Sequence, residues 1–112
     1  MIFFRPVVSA ENQNEITFEA LENEQLLGSC TMLIDGNKAL INAVDVISDN
    51  DYIIDGLIKS AFNYACIKNC YMGYCSCSEI STFLDKMNFN RKDGLYYNDI
   101  PSVLQGNCCK KA

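Results

Sequence analysis

The stretch that decides the fold is residues 43–65, AVDVISDNDYIIDGLIKSAFNYA, because the spacing of its apolar residues changes partway along. Residues 43–47 form a short apolar run around one aspartate, as a buried strand does. From residue 54 onward one apolar stripe falls at helical spacing: Ile54, Leu57, Ile58, Ala61, Phe62 and Ala65. The stretch therefore predicts a strand that leads directly into an amphipathic helix, with Ser48, Asp49 or Asn50 as its N-cap.

Three predicted strands precede this helix. Residues 16–21 alternate apolar and polar side chains, and residues 26–34 are rich in residues that favour strands. A polar turn over residues 22–25 separates these two strands. Asp35-Gly36 suits the positive φ angles of a tight hairpin, from which a third strand returns over residues 39–47. The sequence thus predicts a three-stranded antiparallel meander.

The second half of the chain predicts a strand, a helix and a hairpin. Residues 71–77 are short, apolar and aromatic, which is typical of a buried strand. Residues 80–87 have the spacing of a short amphipathic helix, which we expect to end near a hairpin of residues 89–91 and 95–100. A terminal turn is expected over residues 101–104. The whole pattern predicts a mixed sheet of the α/β or α+β class.

Composition limits the kinds of protein this can be. The chain has 112 residues, of which 49% are hydrophobic, so a single domain spanning 1–112 is expected, with 105–112 as a flexible tail. The formal net charge of −5, with no basic block, argues against binding nucleic acid or an anionic membrane. No signal-peptide pattern and no apolar run of membrane-spanning length is present, so we expect a cytoplasmic protein.

Cysteine is frequent and histidine is absent. The seven cysteines are an odd number, and without an export signal they are interpreted as reduced thiols that act mainly as small hydrophobes. The absence of histidine removes the commonest general base and metal ligand. Any chemistry would therefore use carboxylates, tyrosine, cysteine or backbone groups.

The order of predicted elements over residues 16–100 resembles the GNAT acetyltransferase superfamily from its second strand onward. That family carries a motif close to Val-x-x-x-x-Arg-x-x-Gly-x-Gly between its fourth strand and the next helix. Val46 matches the valine and Gly56 the final glycine, while Phe89 matches a phenylalanine near the end of the fold. The resemblance implies acetyl-CoA as cofactor, with Val46 backbone groups at the thioester and Gly56 near the pyrophosphate.

Other positions depart from the family pattern. Asp51 stands where the family has its arginine, and Ile54 stands where it has the preceding glycine. Leu84 replaces the tyrosine that often protonates the departing thiolate, and Asn88 replaces a glycine. We expect the acidic helix start, Asp49, Asp51 and Asp55, to disfavour a phosphate group, since the nearest cation in sequence is Lys59.

Only residues 1–14 precede the second strand of the resemblance. Residues 1–8 are expected to supply the first strand, which leaves little chain for the two helices that usually form the acceptor side of a GNAT domain. A second subunit could replace that wall, so the sequence suggests a homodimer.

Several residues have both a chemical and a structural interpretation. Asp45 could act as the general base for an acceptor amine, or alternation could point it into solvent. Four cysteines could form a thiolate site or could simply pack in the core: Cys66, Cys70, Cys75 and Cys77. Their spacing differs from the usual zinc knuckle, and no metal is predicted.

Cys108 and Cys109 stand beside two lysines at the end of the chain, where core packing gives no reason for two thiols. A redox, metal-handling or partner-linking role is one interpretation, and an unselected tail is the other. For the whole protein, three functions stay open: an N-acetyltransferase that uses acetyl-CoA and an unknown acceptor, a catalytically inactive GNAT-like module that binds another ligand or a protein, and a thiol or metal protein.

Overall fold

The computed structural model of the chain describes residues 2–8, 14–47 and 50–104. It contains seven strands, β1 (Ile2–Val8), β2 (Glu15–Glu22), β3 (Gln25–Asp35), β4 (Lys38–Val46), β5 (Met72–Cys75), β6 (Asn90–Lys92) and β7 (Leu95–Asp99). Three α-helices accompany them, α1 (Asp51–Ile67), α2 (Ser81–Lys86) and α3 (Ile100–Leu104), and a 3₁₀ turn at Ser78–Ile80 precedes α2.

The strands form one mixed sheet in the order β1-β2-β3-β4-β5-β7-β6. Neighbouring strands are antiparallel except β4 and β5, which are parallel and are connected through α1. Tight turns with positive φ join the hairpins, at Asn23 and Glu24 and again at Asp93 and Gly94. The predicted mixed sheet and its fold class are confirmed.

Helix α1 begins where the sequence predicts. The Asn50 side chain accepts a hydrogen bond from the Tyr52 amide at 2.9 Å, which caps the first turn. The apolar stripe of the helix is buried: Ile53, Ile54, Leu57, Ile58, Ala61, Phe62 and Ala65. This stripe packs on Ile16 and Phe18 of β2 and on Cys30 and Met32 of β3 within a single core cluster.

The remaining helices lie on the same side of the sheet as α1. Helix α3 contacts α1. Phe89, which follows α2, stacks on Phe62 of α1 with ring centroids 6.4 Å apart. All described helices therefore cover one face of the sheet, and this arrangement decides which strand residues are exposed.

The structure corrects two predicted boundaries and confirms one strand. Residues 1–8 were expected to supply a first strand, and Ile2–Val8 does so by pairing antiparallel with β2. The predicted strand over 71–77 ends at Cys75, because β4 no longer runs beside the chain beyond that point. The predicted turn over 101–104 is part of α3.

The predicted tail, 105–112, lies outside the described residues, as do Cys108 and Cys109. Within the described ranges, no helix has the length and apolar character needed to cross a membrane.

Candidate functional site

The central feature of the candidate site is an opening between two parallel strands. β4 pairs with β5 only from Lys38 to Ile41, and the last bond joins the Ser76 amide to the Ile41 carbonyl at 3.1 Å. β4 then continues to Val46, still paired with β3, while the chain after Cys75 leaves the sheet. One edge of β4 therefore loses its strand partner over about five residues, a count taken from these bounds.

A β-bulge marks the point where β4 turns away. Met32 of β3 pairs with Ile41 and Thr31 pairs with Ala43, so Asn42 is an extra residue in β4. A bulge bends its strand and increases the local twist. Asn42 and Ala43 are both exposed, as expected where the pairing with β5 has ended.

The backbone of β4 directs amide groups into this opening. The Ile47 amide donates to the Leu27 carbonyl in β3 at 3.0 Å. Because successive amides of a strand point in opposite directions, the Val46 N–H points away from β3 and toward the open side. The Val44 amide has the same orientation and faces the Cys77 sulfur.

Cys77 fills part of the opening. Its thiol lies 4.0 Å from the Ile41 carbonyl oxygen and faces the Val44 amide, so it lies beside backbone groups that β5 would otherwise pair. Cys77 also lies beside Cys75. The interaction with Cys77 lowers the pKa of Cys75, whereas the same interaction and burial raise the pKa of Cys77.

The start of α1 lies at the end of β4 and is less acidic than its sequence suggests. Asp51 forms a 2.8 Å ion pair with Lys86 of α2, and Asp55 forms a 3.3 Å ion pair with Lys59. Lys59 is the nearest cation in sequence, but folding also brings Lys86 of α2 beside Asp51. Within the described residues of the turn, each carboxylate has a lysine partner.

The first amides of α1 already have acceptors. The Tyr52 amide donates to the Asn50 side chain. The amides of Ile53 and Ile54 both donate to the Asn50 carbonyl, each at 3.1 Å. Among the described residues of this turn, the Asp51 amide is the donor with no hydrogen bond. A phosphate group would therefore meet fewer free amides here than at an uncapped helix start.

Gly56 packs against β1. The Phe4 ring occupies the place of the missing side chain, and a Cβ at this position would overlap the ring. The two residues predicted to contact the coenzyme therefore have different surroundings. Val46 borders the opening, whereas Gly56 packs against Phe4 of β1. A contact of Gly56 with a coenzyme stays a prediction.

Asp45 is exposed and lies one residue before Val46, beside the opening. It pairs with Ser29 of β3, so its side chain projects from the sheet face that α1 does not cover. An acceptor amine could reach the carboxylate from solvent. Its assignment as general base stays a prediction.

The tyrosines are divided between two environments. Tyr96 is buried, and its hydroxyl accepts from Arg91 at 3.2 Å. Tyr74 and Tyr97 pair on the opposite face, with ring centroids 6.3 Å apart. Leu84, which replaces the tyrosine of the family pattern, is fully buried in the core.

The cysteines do not form one cluster of four. Cys70 donates to the Gly36 and Lys38 carbonyls at 3.8 Å, while Cys75 and Cys77 lie at the opening. Cys66 is engaged in a disulfide bond, so its interpretation as a reduced thiol is wrong. Across the described ranges, no group of three or more Cys, Asp and Glu side chains is arranged to hold a metal ion.

Sequence reasoning identified Asn50, Asp45 and Val46 but missed two residues of the site. Lys86 belongs to a different helix from Asp51, and nothing in the local sequence links them. Cys77 was considered only as one of four cysteines that could form a thiolate site or pack in the core. Its place in the opening depends on the bulge at Asn42, for which the sequence carries no turn signal.

Comparison with known proteins agrees with this geometry. No protein-family model and no curated protein matches the sequence. A GNAT-family protein from Desulfovibrio desulfuricans superposes with a TM-score of 0.76 at 8% identity, over 89% of this chain and 99% of that one. N-acetyltransferase from Staphylococcus aureus Mu50 has a TM-score of 0.70 at 16% identity, over 89% of this chain and 98% of that one. PaiA N-acetyltransferase from Thermoplasma acidophilum, in complex with coenzyme A, has a TM-score of 0.66 at 17% identity, over 78% of this chain and 60% of that one.

At these identities the similarity shows the fold: the chain has the fold of the GNAT acetyltransferases. The resemblance suggested by element order is confirmed at that level.

Proposed function

We propose that this chain binds acetyl-CoA at the opening between β4 and β5 and transfers the acetyl group to an amine acceptor. The observation that carries the proposal is the unpaired edge of β4 beyond Ile41, which ends beside the start of α1. An extended ligand can add to such an edge through backbone hydrogen bonds. The complex of PaiA with coenzyme A makes this cofactor a reasonable choice.

The residues along this edge fit the thioester end of the coenzyme. Bound acetyl-CoA would supply an activated acetyl group. The Val46 amide would donate to the thioester arm, and fixed backbone donors of this kind need no reorganisation during reaction. Asp45, exposed next to Val46, would accept the proton of the attacking amine.

The start of α1 offers few free amides for the phosphate groups of the coenzyme, so binding there would depend on the neighbouring lysine, Lys86. Lys86 neutralises Asp51 and stands at an exposed position where it could also pair with a phosphate. An exposed ion pair of this kind stabilises the fold by about 0–1 kcal/mol. Removal of Lys86 should therefore weaken coenzyme binding more than it weakens the fold.

Thermal unfolding in millimolar acetyl-CoA tests the proposal. Ligand at 100 times its dissociation constant stabilises the folded state by about 2.7 kcal/mol, which raises the Tm of a domain of this size by roughly 10 °C. Lys86→Glu should at least halve the shift. Lys68→Glu, at the far end of α1, is the matched control and should keep it. An unchanged Tm at 5 mM acetyl-CoA would contradict the proposal.

Asp45→Asn tests the catalytic assignment separately. It should keep the Tm shift with acetyl-CoA and slow the release of free coenzyme thiol in the presence of amine acceptors by roughly 100-fold. Glu19→Gln, which alters a carboxylate on the same sheet face away from the opening, is the control. Equal rates for wild type and Asp45→Asn would exclude Asp45 as the base.

A second candidate function is a non-catalytic binding module, favoured by the position of Cys77. Its thiol already contacts the Val44 amide and the Ile41 carbonyl, so wild-type protein has less space between the strands. Cys77→Ala distinguishes the two functions. If acetyl-CoA stabilises only this variant, the opening is closed in the wild type and the module is the better description.

A further inference from the structure

The face of the sheet opposite α1 is uncovered by any described element. Its residues alternate with those of the core, and most are half-buried rather than buried. Six apolar side chains on this face lie outside the core cluster: Leu33, Leu40, Met72, Tyr74, Leu95 and Tyr97. A sheet face with this much apolar surface is normally buried against another layer.

Two adjacent grooves run across this face, each with a volume of about 410 Å³. Leu33 and Leu40 line the first groove, and Met72 and Tyr97 line the second. Tyr74 and Leu95 line both, so they form the ridge between the grooves. A two-fold axis near this ridge would place the first groove of one molecule against the second groove of another.

The rims of the two grooves carry balanced charge. The first rim has Asp35 and Lys38, and the second has Lys92 and Asp93. All four side chains are exposed, and none of them forms an ion pair in the described part of the molecule. Each rim therefore carries one positive and one negative side chain, and each rim is complementary to the other.

We propose that this face binds the same face of a second copy of the chain, as a sheet-on-sheet homodimer. Tyr74 and Leu95 lie at the centre of the interface, as apolar anchors surrounded by a polar rim. The two-fold symmetry joins Asp35 to Lys92 of the second copy and Lys38 to Asp93 of the second copy. The proposal uses neither the opening between β4 and β5 nor a cofactor, and neither groove includes Asp45, which lies on the same face toward the other end of β4 from Leu40, so it does not rest on the proposed function.

Light scattering after size exclusion, from 1 to 100 µM protein, tests the dimer. Wild type should elute with twice the chain mass of 12.6 kDa at the upper concentrations. Leu95→Glu should raise the dimer dissociation constant at least 100-fold, with circular dichroism showing that the variant is folded. A monomeric wild type at 100 µM, or a dimer that Leu95→Glu leaves unchanged, would overturn the proposal.

Charge reversal tests whether the two rims pair with each other across the dimer. Asp35→Lys and Lys92→Asp should each weaken the dimer about 10-fold, and the two changes in one chain should restore it. Asp85→Lys and Lys68→Asp, on the helix-covered side, are matched controls and should have no effect. If the double variant is as weak as the single ones, the rims do not pair and the proposed symmetry is wrong.

Discussion

The two faces of the sheet are made by the same strands and yet differ in what covers them. On the face beneath α1, Ile16, Met32 and Ile41 are completely buried. On the other face, Leu33, Leu40 and Tyr74 stay half-buried between their strand neighbours. The covered face is almost entirely apolar, whereas the open face also carries charged residues such as Glu19 and Asp45, and no described helix packs on it.

The covered face stabilises the folded chain, whereas the open face is available for an interaction. A buried face contributes to folding because water has already left it, whereas the open face keeps that free energy for an association. The candidate acyl-transfer site lies at the boundary between the two faces, since Val46 belongs to the covered side and Asp45 to the open side. Three measurements test this difference between the two faces.

The largest effect is expected from shortening leucines on the two faces. Leu57→Ala removes a side chain of α1 that is 0% exposed, and it should lower the free energy of unfolding by about 2–5 kcal/mol. Leu40→Ala, on the open face, should cost less than about 1 kcal/mol at submicromolar concentration. Urea unfolding measures both. Similar losses would mean that the open face is covered in solution even when the protein is monomeric.

An intermediate effect is expected at Gly73, which lies under α1. A Cβ at this position would stand 2.6 Å from Cζ of Phe62, so Gly73→Ala should destabilise the protein by about 1–3 kcal/mol. Phe62→Leu in the same chain should recover part of the loss, because the smaller side chain leaves room. Ser76→Ala, just beyond the same strand, is a control that should change little. Strictly additive losses would contradict this packing.

The smallest effect concerns Cys30, buried beneath Leu57. Burial raises the pKa of this thiol to about 12. Its stabilising contribution is therefore complete below the unfolded pKa near 9 and is lost as the pH rises toward 12. Cys30→Ala should cost more stability at pH 8 than at pH 10.5, by urea unfolding. An equal cost at both values would show that water reaches this thiol.

The features that follow from neighbouring residues were predictable. The hairpin at residues 35–36, the strand before it and the helix after Asn50 depend on local alternation and capping, and each lies within about two residues of its expected position. The candidate site was predictable in part. Val46 was suggested by the family resemblance and Asp45 by its place in an apolar strand, but the opening beside them depends on the bulge at Asn42.

The charge at the start of α1 shows why local reasoning was insufficient there. From sequence, Asp51 and Asp55 indicated a turn that repels phosphate. The fold brings Lys86 within 2.8 Å of Asp51, because α2 returns to the same end of the sheet. Coulomb energies depend on distance in space, and separation along the chain says little about it.

The sequence by itself determined the order of elements, the class of fold and the face of each strand that α1 covers, because these follow from the period of apolar residues. Only the tertiary structure decided that Cys77 enters the opening, that Gly56 receives Phe4 and that the described elements leave one sheet face uncovered. Each of these depends on which distant segments meet, and periodicity along the chain carries no information about such contacts.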